Sequence, residues 1–347
     1  MDSLSQLALG SAATVAALGH RVPLRRAVAW GAVAGTLPDL DAFIDYGDAV
    51  LNMTRHRAES HSLIYLTLLA PVLAGLISRL HREPALFGRW CLAMWLALFT
   101  HPLLDWFTIY GTQLFQPFTD HPFGLGSIFI IDPLFTLPII LGLIVAACLR
   151  NPARRARANW TGLGLASVYL AWSVLAQQHV IGVAERALPQ DVQGSSYRLL
   201  VTPAPFNTVL WRLVVVTDDA YYEGWHSLLD RADAGPMWRR YDRGADLMAI
   251  HGSIEGAQRI ASFSKGFYSM DQRAGRLFIT DLRMGQEPFY SFRFDLGEIG
   301  RPAALTQLER VRPPVANALP WLWARTLGDV NADSLRITVE GSSRPVR

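Results

Sequence analysis

The chain has 347 residues, 51% of them hydrophobic and 18% charged, with a formal net charge of +3. The length allows two domains, and the positive mean hydropathy is high for a soluble protein. The basic residues are arginines except Lys265, and no Lys/Arg stripe with interleaved aromatics appears, which argues against a nucleic-acid partner. Cys91 and Cys148 both sit in apolar segments and read as small buried or lipid-facing hydrophobes, not as a disulfide or a metal knuckle.

The apolar runs lie before residue 180. LALGSAATVAAL opens the chain with Asp2 as the only charge before Arg21, so it reads as a retained helix rather than a cleaved signal. Two short apolar segments are expected at 5–19 and 27–37, as full spans with polar ends or as half-buried helices. Four more, at 62–79, 86–107, 127–149 and 160–178, are long enough to span or nearly span a bilayer. Arg21, Arg25 and Arg26 follow the first segment, Arg79, Arg82 and Arg89 lie between the third and fourth, and Arg150, Arg154, Arg155 and Arg157 lie between the fifth and sixth. If all six segments cross, these clusters fall on one side, and cytoplasmic loops are the ones rich in arginine. The layout predicts an outside N-terminus in a bacterial inner membrane, with the C-terminal half external (periplasmic). A re-entrant first pair would leave the first arginine cluster unexplained. His20 and His81 fall with the arginines and read as solvated. Trp30, Trp90, Trp106, Tyr110 and Trp160 suit an interfacial belt.

After residue 195 the pattern changes. SYRLLVTP, VLWRLVVVT, RLFITDL and FYSFRFDL are β-branched or aromatic runs with partial alternation, SIEGAQRIASFS reads as a helix, and the apolar stretch VRPPVANALPWLWARTL follows near the end. The fold class expected is an α-helical polytopic membrane domain over 1–180 followed by an extramembrane α+β domain over 195–347.

Ionisable residues gather at segment ends. TLPDLDAF places Asp39 and Asp41 after the second segment, RHRAESHS places His56 and His61 before the third, and FTHPLLDWF places His101 and Asp105 at the end of the fourth. In the inferred topology all three groups share the external face, although the topology used none of them. Imidazole and carboxylate are ligands for Zn, Mn or Fe, and His101 and Asp105, four apart, project from one face of a helix. Each pair alone is ordinary: a packed histidine, a loop, a turn with a helix cap. Together, at one membrane depth, they point to a site for one or two divalent ions.

The pieces MDSLSQLALG, AGTLPDLD, HRAESHSL, THPLLDWFTIYGTQLFQPF and IIDPLFTLP make residues 1–145 resemble the YdjM-like family of membrane-bound metal-dependent hydrolases, and TPAPFNTVLWR suggests a longer subgroup with a C-terminal soluble domain. The resemblance implies a divalent-metal site and hydrolase activity. Many relatives carry a histidine where this chain has Gln6, a poorer ligand, so Gln6 is expected beside the ligands and a second ion loses a holder. The HxxxD helix is also similar to zinc-dependent phospholipase C and P1 nuclease, which points to phosphate esters.

On this reading His56, His61, His101 and Asp105 hold the metal, and Asp39 and Asp41 bridge or complete the shell. A metal-activated water would attack an ester or phosphoryl centre. Asp39 or Asp41 would take the proton, and Arg57 would hold a phosphate or else snorkel to headgroups. Thr112 and Gln113 are expected to line the pocket. Asp132 reads as a helix cap, with a place beside the ligands as the other reading. Lipids would reach an external site laterally, so a lipid or lipid-linked ester is the expected substrate class. The rival expectations are a non-enzymatic membrane scaffold and an ion-coupled transporter; the latter would spread its polar residues through the membrane depth.

Overall fold

Asp2 starts the first helix: its carboxylate accepts from Leu4 N and Ser5 N, both at 3.1 Å, and α1 (Ser3–Leu18) then runs to Gly19. The structure is a computed structural model and describes residues 1–231, 234–299, 305–308 and 315–334. Pro23 precedes α2 (Leu24–Thr36), which lies antiparallel to α1 at very close range. A Cβ at Gly10 would stand 2.4 Å from Gly31 O, and one at Gly35 would stand 2.6 Å from Gln6 O, so only glycine permits this approach. Pro38 lacks the N–H a helix needs, and the chain tightens into a 3₁₀ segment, Leu37–Phe43. A short helix, α3 (Ala49–Arg55), lies in the loop that follows. A 3₁₀ turn, Glu59–His61, leads into α4 (Leu63–Leu80), whose N-terminus is capped by Ser62 Oγ accepting from Ile64 N at 3.2 Å and Tyr65 N at 3.4 Å.

The next helices are α5 (Phe87–Trp106), α6 (Pro133–Cys148) and α7 (Pro152–Arg186). All six apolar segments are therefore helical, with different ends. The fifth starts only at Pro133, because Asp132 caps it. The sixth extends well beyond 160–178 at both ends. Among the described residues α4 alone is long and apolar enough to cross a membrane by length and composition; α1 and α6 are apolar but shorter.

The chain folds as two compact units, one of Met1–Tyr46, Asn52–Val174 and Pro205–Asn207, the other of Gly47–Leu51, Leu175–Ala204 and Thr208 onward. In the first, antiparallel packing sorts polar groups to opposite ends. At one end Gln6 of α1 meets Asp105 of α5, and His101 of α5 meets the Gly35 carbonyl of α2. At the other, Arg26 pairs with Glu83, Arg89 Nη1 donates to Ala17 O at 3.3 Å, and Trp30 Nε1 donates to His81 Nε2 at 2.9 Å. His81 is thus a hydrogen-bonded, half-buried group and not a solvated one. Trp90 and Tyr110 are buried too: Trp90 packs in the core of α1, α2, α4 and α5, and Tyr110 donates to Met53 O at 2.7 Å, so neither belongs to an interfacial belt.

The second unit is built on sheets. β1 (Arg198–Pro203), β2 (Leu210–Val216), β3 (Ala220–Ser227) and β4 (Arg239–Asp242) form an antiparallel meander in that order. After α8 (Ala245–His251) and α9 (Glu255–Phe263) come β5 (Tyr268–Arg273), β6 (Arg276–Asp281), the ribbon β7 (Gly285–Gln286) and β8 (Phe289–Tyr290), β9 (Arg293–Glu298) and β10 (Thr306–Gln307). The second sheet runs β10-β9-β6-β5. Of the apolar stretch 311–327, residues 311–314 lie outside the described residues, and α10 (Val315–Thr326) covers most of the rest. A helical N-terminal region thus precedes a sheet-rich α+β part.

A buried network joins the two sheets. Arg212 of β2 donates through Nη1 to Leu282 O at 2.8 Å and pairs through Nη2 with Glu223 of β3. Tyr290 Oη donates to the same Glu223 carboxylate, Glu287 N donates to its Oε2 at 3.1 Å, and Tyr221 Oη donates to Glu287 Oε2 at 3.1 Å. Burial, reinforced by the Glu223 charge, raises the Glu287 carboxyl above its ordinary value.

Candidate metal centre

Four of the expected residues converge: Asp39 from the 3₁₀ segment after α2, His61 from the turn before α4, and His101 and Asp105 from α5. One ligand atom from each lies within 4.8 Å of every other. His61 Nε2 stands 3.1 Å from His101 Nε2, 3.4 Å from Asp39 Oδ1 and 3.3 Å from Asp105 Oδ2. His101 Nε2 stands 3.4 Å from Asp39 Oδ1 and 3.5 Å from Asp105 Oδ2. Ligands on a tetrahedral ion with bonds of about 2.0–2.1 Å stand about 3.4 Å apart. Five of the six edges of such a tetrahedron are therefore present.

The histidines are turned to the centre by their other nitrogens. His101 Nδ1 is 2.7 Å from Gly35 O, a bond that only an N–H can make, so the neutral ring presents its Nε2 lone pair to the cluster. His61 Nδ1 is 2.8 Å from Ser60 Oγ and 3.6 Å from Asp41 Oδ2, which likewise turns Nε2 inward. Two imidazole nitrogens at 3.1 Å with two carboxylates beside them call for positive charge between them, a proton or a metal ion. Asp105 Oδ2 accepts no hydrogen bond among the described residues, although its side chain is fully buried. Two nitrogens and two carboxylate oxygens are a donor set that Zn, Mn or Fe accepts, so the residues present fit a divalent ion.

The other expected residues surround this group. Asp41 and His56 do not join it. In a 3₁₀ segment with three residues per turn, positions two apart point about 120° away from each other, so Asp39 and Asp41 cannot face one centre. Asp41 instead bonds His56 Nδ1 at 2.7 Å and accepts from Arg57 N at 2.9 Å and from Ser60 Oγ. Burial pushes the Asp41 carboxyl up, but the His56 bond and the His61 and His56 charges outweigh it and hold it below the usual range.

Arg57 is buried, not snorkelling. Its Nε is 3.3 Å from Asp105 Oδ2, its Nη1 donates to Thr108 Oγ1 at 3.3 Å, and its guanidinium lies over the Tyr110 ring at 5.0 Å. Its backbone sits at φ 66°, a strained value for arginine, held by the Asp41 contact and by Gln113 N donating to Arg57 O at 2.9 Å. Gln113 thus braces the Arg57 loop, its Nε2 donating to Thr54 O at 3.0 Å. Thr112 pairs with Phe123 through backbone bonds of 2.7 and 2.9 Å. Gln6 Nε2 donates to Asp105 Oδ1 at 3.1 Å and to His101 O at 3.2 Å, and the Met1 amino group pairs with the same Oδ1. Asp132 stays outside the cluster: it caps α6 through Leu134 N at 3.0 Å and accepts from Tyr169 Oη at 2.8 Å. Sequence reasoning missed the Ser60 and Gly35 contacts. Ser60 lies within RHRAESHS beside the histidines, whereas a backbone acceptor such as Gly35 O leaves no mark on a sequence.

Residues 1–180 match the sequence model of the family described as YdjM inner membrane protein. Against the Bacillus subtilis protein described as "Uncharacterized protein YfhP" the chain is 22% identical over 225 residues, which cover 63% of this chain and 64% of that protein's length. No solved structure matches the chain. With residues 1–180 of its 347 matched, the chain belongs to the YdjM inner membrane protein family.

Proposed function

We propose that this chain is a polytopic membrane hydrolase that works with one divalent ion, Zn, Mn or Fe, held by Asp39, His61, His101 and Asp105. Its substrate is an ester or phosphate ester of a lipid or lipid-linked molecule at the external membrane face, with residues 1–180 as the membrane domain and 195–347 external. The observation that carries the metal is the set of five separations of 3.1–3.5 Å among four inward-turned ligand atoms. The orientation is supported by the two ends of the helical unit: arginines concentrate at one, as in cytoplasmic loops, and the His/Asp group lies at the other.

A divalent ion supplies Lewis acidity and a water acidic enough to ionise near neutral pH. The chain's residues do the rest. Asp39 is the one ligand side chain open to solvent, at 21% exposure against 0% for the other three, so substrate enters beside it and it is the carboxylate available to take a proton. Asp41, its oxygens already bonded, orients His61 and His56. Arg57 offsets the Asp105 charge, and its fork suits a phosphoryl oxygen. Leu40 and Phe43, in the same 3₁₀ segment as Asp39, are 54% and 86% exposed, which favours a substrate with acyl chains.

The test uses purified full-length protein stripped by chelator and reloaded with Zn²⁺ or Mn²⁺, assayed on phosphatidic acid in micelles and on p-nitrophenyl phosphate. Metal-dependent turnover, higher on the lipid and absent in His101→Ala, is expected. A metal-loaded chain that turns over neither compound would overturn the hydrolase reading. Equal, near-zero metal in wild type and His101→Ala would overturn the metal centre.

A further inference from the structure

The end of the helical unit opposite the His/Asp group holds a cavity of about 450 Å³. It lies where α1 ends and α2 and α7 begin, and its lining includes His20, Arg21, Arg155, Asn159, Leu24 and Trp160. None of its lining residues is acidic. The positive charge is not neutralised locally. Arg26, outside the cavity, has Glu83, whereas neither Arg21 nor Arg155 has an acidic partner among the described residues. Arg155 Nε donates to Leu149 O, which anchors the guanidinium at the cavity wall. Asn159 is 2% exposed; its Nδ2 donates to Ala12 O at 3.0 Å and its Oδ1 has no hydrogen-bond partner among the described residues, so a buried acceptor stands unmatched in the lining.

The rest of the lining is apolar. Leu24 is half-buried, and Trp160, at 60% exposure, presents an indole of the kind that settles at a membrane interface. Two arginines without counter-ions beside an apolar wall recognise one chemistry: a phosphate anion joined to hydrocarbon. We propose that this cavity binds the phosphodiester headgroup of an anionic phospholipid, with Arg21 and Arg155 on the phosphate and Trp160 along the first carbons of the chains. A hydroxylated headgroup would bring a donor toward the Asn159 carbonyl. The site would hold the helical unit to the anionic cytoplasmic leaflet.

The test is native mass spectrometry of the full chain in detergent, titrated with phosphatidylglycerol, phosphatidylcholine or free glycerol 3-phosphate. Wild type should retain phosphatidylglycerol over phosphatidylcholine. Arg21→Ala/Arg155→Ala should bind phosphatidylglycerol about 30-fold more weakly, and Arg21→Lys/Arg155→Lys should keep most of the binding. Equal retention of the two lipids by wild type would overturn the proposal without any variant. Unchanged binding in a folded alanine pair would overturn it as well. Glycerol 3-phosphate bound as tightly as the lipid would assign the cavity to a soluble phosphate instead. Metal content at the far end reports whether the alanine pair is folded; if it is not, the lysine pair and the wild-type selectivity decide.

Discussion

Arg212 with Glu223 in the sheet-rich unit, and Asp39, His61, His101 and Asp105 in the helical unit, are both buried groups of ionisable side chains. They are matched in opposite ways. Glu223 receives Arg212, Tyr290 Oη and Glu287 N, so donors and acceptors largely cancel within the chain. In the helical unit two imidazole nitrogens and two carboxylate oxygens face one another, all of them electron-pair donors when the rings are neutral. The Met1 amino group offsets part of the charge at Asp105 Oδ1, and Arg57 Nε stands 3.3 Å from the ligand oxygen Oδ2. The first arrangement is complete in itself. The second leaves room for positive charge among its four ligand atoms, from a proton or a metal ion, and so could hold a metal ion.

The comparison breaks most visibly if the sheet network is removed. Arg212→Met leaves Glu223 buried without its cation and should cost about 3–5 kcal/mol of stability. Arg212→Met/Glu223→Leu should recover most of that loss, because an apolar pair of similar volume needs no counter-charge. Chemical denaturation followed by circular dichroism measures both, and a chelator should change neither result. A loss below about 1 kcal/mol for Arg212→Met would show that the network is solvated and that the contrast fails.

His101→Ala tests the other side. It removes a ligand and should weaken metal binding more than about 100-fold, beyond what an outer partner costs, with elemental analysis falling toward zero. Asp41→Asn should weaken it by about 10–100-fold, because the amide changes how His61 and His56 are held while the four ligand atoms remain. If Asp41→Asn abolished binding as completely as His101→Ala, Asp41 would be a ligand and the geometry of the 3₁₀ segment would have been misread.

Much of this site was legible in the sequence, because costly residues at the ends of apolar segments declare themselves whatever their partners. The roles within the set were not. HRAESH offers two histidines and LPDLD two aspartates, and only the 3₁₀ turns decide that Asp39 and His61 face inward while Asp41 and His56 bond each other. The sheet unit shows a similar limit. The apolar runs behind β1, β2, β6 and β9 stood out, but AYYEGWHS carries Glu223, Gly224 and His226 and gave no alternation, yet it forms the central strand β3 because β2 and β4 pair with it on both sides. Asp132 was legible as a helix cap, but the apolar run was drawn from 127 although the helix starts only after that cap, and α7 runs past its apolar stretch through arginines that solvent accepts.

Gln6 sharpens the comparison with the smallest effect. Its amide donates at 3.1 Å to Asp105 Oδ1 and at 3.2 Å to His101 O, holding both ends of the HxxxD pair from α1. Gln6→Met keeps the volume and removes both donors. Asp105 keeps the Met1 amino group on the same oxygen and Arg57 beside the other, so the carboxylate stays in place and loses only one of its supports. Metal affinity should fall by less than about 10-fold, the low end of what an outer partner contributes, while the Arg212–Glu223 unit keeps its denaturation midpoint. A larger drop would make the α1 contact the main determinant of Asp105 geometry. No drop at all would mean that the bound ion positions Asp105 unaided, and the case for an ion would then rest on the four ligand atoms alone.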